Sequence, residues 1–237
     1  MIIIKHKKEH LTPFLNEDSE EGKIRLSKDI PWIRADGKEV DINRLETMLN
    51  AVVQDLAANF PSIETVVKHK DLILTDDPAI ETMATDGISI MMNPAWCDVI
   101  LEKFDAIALE YCIIHECLHI LFDHCGKHMN NLDKYSDAYK VNIAQDFEIN
   151  YVIENFLREG LGNKPFKGLA EKMKAMYNEE YGKKGMMWED IYSTLPSIER
   201  KVNRAKTSDE WKKGFTDAYN DFLKETKKSK VIESYEI

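Results

Sequence analysis

The chain has 237 residues, 43% hydrophobic and 31% charged, a composition that buries a core and excludes a largely disordered chain. Its net charge of -10 argues against general binding to nucleic acid or to an anionic membrane surface. No run approaches the roughly 18 apolar residues that span a bilayer, and the apolar start Met1–Ile4 is too short for a signal-peptide core.

In chain order, a short strand is expected over Ile2–Lys5, followed by an acidic loop over 16–21. Asp41 reads as the N-cap of an amphipathic helix, with Ile42, Leu45, Leu49, Val52, Val53 and Leu56 at helical spacing and Pro61 beyond its end. Residues 64–92 read as strands, with apolar runs at Val66–Val67 and Leu72–Leu74, a tight turn at Thr85-Asp86-Gly87 and a strand over Gly87–Met92. Asn93-Pro94 supplies an N-cap and a proline at the first helical position. The helix it opens, about Ala95–His124, is apolar on nearly every face and so belongs inside the fold. A polar loop over 126–137 leads to a second helix, about 138–158, closed by Gly160 and Gly162. A further helix falls within 171–195. Residues 197–237 read as a lysine-rich amphipathic tail after a domain of 1–196 with its core over about 41–195. Cys97, Cys112, Cys117 and Cys125 crowd a short stretch, and three of them sit in one expected helix facing different directions, which suits free thiols in a reducing compartment. A cytoplasmic protein is expected, bacterial or virus-encoded in a bacterial host.

The chemistry concentrates at His115-Glu116-Cys117-Leu118-His119. Histidines four apart share one helix face, about 5–6 Å from each other, so both can ligate one Zn2+. Glu116, next to the first histidine, projects beside the metal. It can take a proton from the water that the metal activates, the general-base role in hydrolysis. One such match in this length arises by chance with a probability of roughly 2%, so context has to decide. The context is a buried helix, where three ionisable side chains need partners.

For a third ligand the residues leave alternatives open. His124 follows His115 by nine positions, so an unbroken helix turns it about 180° away; it reaches the metal only if the helix breaks first. Cys125 is a weaker candidate. On the second helix Asn142, Asp146 and Asn150 form one polar stripe among Ile143, Phe147, Ile149, Val152 and Ile153. Asp146 is the preferred third ligand. Asn150 would orient a ligand from behind. Asp123, four after His119, is expected on a solvated face, and His128 in a solvated loop.

At these residues the chain resembles a family of predicted metal-dependent peptidases whose members often carry a von Willebrand A-like domain after the peptidase part. The resemblance rests on Thr85-Asp86-Gly87, Asn93-Pro94, His115-Glu116-x-x-His119 with His124, Ala144-x-Asp146-x-x-x-Asn150 and Trp188-Glu189-Asp190-Ile191-Tyr192-x-x-Leu195, and covers about 80–195. It implies a zincin-like α+β fold: a small mixed sheet, a buried HExxH helix, a second ligand-bearing helix and a helix-rich C-terminal part. It implies a zinc peptidase acting on a protein or peptide. The second domain would begin where this chain ends, so its role is expected to be absent or supplied by a separate von Willebrand A-like protein, and the family's occasional link to AAA-type ATPases hints at a partner of that kind. On such a fold the strand over Gly87–Met92 is either the edge along which an extended peptide pairs or an ordinary core strand. The rival reading is a non-catalytic zinc-binding adaptor on the same scaffold. Glu116 speaks against it, because a purely structural site needs no glutamate there and closes with four protein ligands. A separate interaction role for the tail concerns 197–230 alone.

Overall fold

The computed structural model describes residues 2–5, 31–157 and 159–195. The acidic loop over 16–21 and the tail from 197 lie outside the described residues. The chain divides into two compact units, Met1–Gly126 with Leu157–Phe166, and Lys127–Phe156 with Lys167–Ile237.

In the first unit, Asp41 accepts the Arg44 N–H and starts α1, Ile42–Asn59. Its predicted apolar stripe is buried at Leu45, Leu49, Val52 and Leu56. Pro61 does more than follow α1. It opens α2, Pro61–His69, so Val66 and Val67 are helical and buried rather than in a strand. Ile63, Val66 and Val67 make an i, i+3, i+4 face, and its burial overrides the β-preference of two adjacent valines.

The four strands are β1 (Ile2–Lys5), β2 (Asp71–Thr75), β3 (Met83–Thr85) and β4 (Ser89–Met92), in the order β1-β2-β4-β3. β2 runs parallel to both β1 and β4, while β3 is antiparallel to β4, so the sheet is small and mixed. β4 therefore lies between β2 and β3. The 87–92 segment is a core strand, and the edge beside it is β3. Ile90 and Met92 are fully buried, as are Leu72 and Leu74 opposite.

The Thr85-Asp86-Gly87 turn joins β3 to β4. Asp86 Oδ1 accepts the Ile88 and Ser89 N–H groups at 2.8 and 2.7 Å, and Gly87 sits at φ +85°. Asn93 Oδ1 then caps α3, Pro94–Phe104, through the Ala95 and Trp96 N–H groups.

The long helix expected over 95–124 is three helices. Asp105, at φ +72°, separates α3 from α4, Ala106–Leu121. Asp123, at φ +54°, separates α4 from α5, His124–Met129. Neither break carries a glycine or proline signal. Each aspartate accepts the strain of a left-handed residue, and Asp105 repays part of it by accepting the Ala106 N–H at 2.7 Å. α4 is buried along nearly its whole length, as its composition requires.

In the second unit α6, Ala138–Phe156, matches the second predicted helix. Short helices α7 (Leu169–Lys172), α8 (Glu179–Lys183) and α9 (Trp188–Thr194) follow it. Their core joins Val141, Ala144 and Phe147 of α6 to Tyr181, Trp188 and Ile191. Two buried glutamates of α6 fasten the later segments. Glu148 accepts the Trp188 N–H at 2.9 Å, and Glu154 accepts the Gly168 and Ala170 N–H groups. No helix among the described residues is long and apolar enough to cross a membrane.

Glu110 does the same for the first unit. Fully buried on α4, it accepts the Leu161 N–H. Burial pushes its carboxyl up to about 7 from 4.5, against the pull of that N–H, and Asp55 adds to the rise. Between those two values the folded chain holds a proton that the unfolded chain has released. The stabilisation is therefore complete below about 4.5 and is lost as pH rises through 7. Glu110→Gln keeps an acceptor for Leu161 and removes the titration. Urea unfolding at pH 5 and pH 8 should show wild type losing on the order of 2 kcal/mol more than the variant. Equal losses would contradict the raised carboxyl.

Candidate metal centre

His115, Glu116 and His119 occupy the last two turns of α4. His119 and Glu116 are buried, and His115 is partly exposed. The two rings meet edge to face, 4.9 Å between centroids, with their Nε2 atoms 3.1 Å apart. Two nitrogens bound to one tetrahedral ion at 2.0–2.1 Å stand about 3.3 Å apart. The one-turn spacing has thus brought the two nitrogens to the bite that a shared metal requires.

Asp146 lies on α6, partly exposed, and Asn142 Nδ2 donates to its Oδ2 at 3.4 Å. His115, His119 and Asp146 form a group that could hold a metal ion. Asn150, one turn further along α6, is buried and donates to the Met176 carbonyl at 2.8 Å.

His124 is placed by the break in the helix. α4 stops at Leu121, the chain turns at Asp123, and the His124 ring comes back to His119. The two Nδ1 atoms are 3.0 Å apart and the ring centroids 5.0 Å. His124 therefore reaches His119 on the nitrogen opposite the one that faces His115. Asp123 itself is exposed. His128 is part of α5, and its Nε2 bonds the Tyr135 carbonyl at 3.0 Å instead of standing in a solvated loop.

The four cysteines are free thiols, as their crowding predicts. Burial pushes the Cys112 and Cys117 thiols up, with Glu116 adding to both. The Cys125 thiol is raised by burial and then by Asp86, and it donates to the Thr85 carbonyl at 3.8 Å. None of them belongs to the metal-competent group among the described residues.

A family model described as "Putative metallopeptidase domain" matches residues 51–232. The chain belongs to this family. The match starts inside α1 and reaches past the 80–195 span of the recognisable motifs. No curated protein and no solved structure matches the chain. A metallopeptidase needs a metal ion, and the residues present fit one. Two imidazole nitrogens stand at a ligating distance from each other on one helix, a donor pair that suits such an ion.

Two features of the structure go beyond the sequence expectations: His124 meets His119, and Glu110, Glu148 and Glu154 find the buried donors that carboxylates inside apolar helices demand. The turn at Asp123 yields a direct test. Asp123→Gly suits its left-handed backbone and should change stability by no more than about 1 kcal/mol. Asp123→Val places a β-branched residue at positive φ and should cost about 1–3 kcal/mol. Thermal unfolding of both variants reads the difference; an equally stable valine variant would contradict the turn.

Proposed function

We propose that the chain is a zinc-dependent peptidase on a zincin-like fold, with His115, His119 and Asp146 as ligands and Glu116 as general base. The observation that carries the reading is the 3.1 Å approach of two imidazole nitrogens on consecutive turns of a buried helix, with Glu116 buried between them in sequence. Three protein ligands leave a coordination position open, which is the pattern of a catalytic rather than a structural site. Zinc suits two imidazoles and a carboxylate. When bound, it supplies Lewis acidity, enough to bring a water's pKa from about 15.7 to about 7.

The chain's own part is positioning and proton transfer. His115 and His119 hold the metal from a rigid helix, and Asp146 holds it from α6. Asn150 would steady that stretch of α6 through the Met176 carbonyl. The Glu116 carboxylate accepts the proton of the attacking water and passes it to the departing amine nitrogen. The substrate is a protein or peptide. The resemblance extends the proposal to a von Willebrand A-like or AAA-type partner, and the free thiols favour a reducing cytoplasm.

Purified protein should carry about one equivalent of zinc, which the His115→Ala, His119→Ala double variant loses and Asp146→Ala binds more weakly. Zinc retained in full by the double variant would refute the ligand assignment. Glu116→Gln should keep its zinc and fold while casein hydrolysis falls by at least about 100-fold. A variant that cuts as fast as wild type rules out Glu116 as the base. Zinc binding with no cleavage by wild type would favour an adaptor.

A further inference from the structure

We infer that His124 is a positioning residue: it accepts the Nδ1–H of His119 and thereby turns His119 Nε2 toward the metal. The inference rests on the metal reading above and goes beyond it, because it assigns to His124 a role other than ligation. A neutral imidazole that gives Nε2 to a metal carries its hydrogen on Nδ1. In this chain the His119 Nδ1 faces the His124 Nδ1 at 3.0 Å, while its Nε2 faces His115 at 3.1 Å. The two contacts use opposite nitrogens of one ring. His124 thus stands behind His119, away from the ion that His115 and His119 would share. Its Nδ1 is the acceptor of the pair, and its own hydrogen belongs on Nε2.

The fold holds His124 for this task. It is buried, and its ring lies against Phe122 at 5.6 Å between centroids. Its neighbour Cys125 donates to the Thr85 carbonyl, and a Cβ placed on Gly87 would lie 3.6 Å from the Cys125 Cβ. The Thr85-Asp86-Gly87 turn therefore abuts the first turn of α5. A hydrogen-bond partner on the far nitrogen fixes a ligand's tautomer and ring orientation, and its removal typically costs 10–100-fold in metal affinity.

The test uses the full chain, zinc in competition with a chelator, and the visible spectrum after cobalt substitution. His124→Ala should bind one zinc about 10–100-fold more weakly, with the wild-type cobalt spectrum, whereas His119→Ala should lose the stoichiometric metal. His124→Asn places an amide oxygen where the acceptor nitrogen was and should stay within about threefold of wild type. Loss of stoichiometric metal with an altered cobalt spectrum in both His124 variants would overturn the inference in favour of ligation. Wild-type affinity in His124→Ala would overturn it in favour of packing alone. A wild type that takes up no metal sinks the peptidase reading. The ring nitrogen–proton correlation spectrum of the metal-free protein then decides the hydrogen bond: His119 protonated on Nδ1 and His124 on Nε2 upholds it, and His119 protonated on Nε2 overturns it.

Discussion

Everything at the candidate centre depends on two imidazoles one helical turn apart on a helix buried along nearly its whole length. Burying Glu116 and His119, and part of His115, costs solvation, and the cost is recovered only if their polar atoms meet partners. The rest of the first unit can be read as the means of placing α4. Asn93-Pro94 and the Asp105 break set where it starts. The Asp123 turn ends it and brings His124 back to His119. The 3.1 Å between the two Nε2 atoms is the outcome, and it matches what one tetrahedral ion demands.

The buried carboxylates divide by what they face. Glu110, Glu148 and Glu154 accept backbone N–H groups of Leu161, Trp188, Gly168 and Ala170, so they bind segments of chain together. Asp146, partly exposed, and Glu116, beside His115 in sequence, are the carboxylates that the proposed reaction uses.

Much of this was legible in the residues. Asp41 and Asn93-Pro94 mark helix starts through capping chemistry that acts locally, and the apolar composition of α4 announces its burial. The i, i+4 histidines follow from helix geometry alone. Other features depend on tertiary context. Val66 and Val67 have strand-like propensity, yet Pro61 and the packing of Ile63 make them helical. Asp105 and Asp123 take positive φ without a glycine, so the two breaks leave no mark in the sequence and His124 was placed by the phase of a helix that does not continue. The pairing of β4 on both sides is a matter of strand order, which alternation of apolar residues does not encode.

The central claim is that the metal is held by nitrogen and oxygen from His115, His119 and Asp146, with the nearby thiols left out. X-ray absorption at the zinc edge of the purified, zinc-loaded chain measures that shell directly. The account predicts nitrogen and oxygen neighbours at about 2.0–2.1 Å with imidazole scattering from two rings and no sulfur. A sulfur shell at about 2.3 Å would bring a cysteine into the site and contradict it.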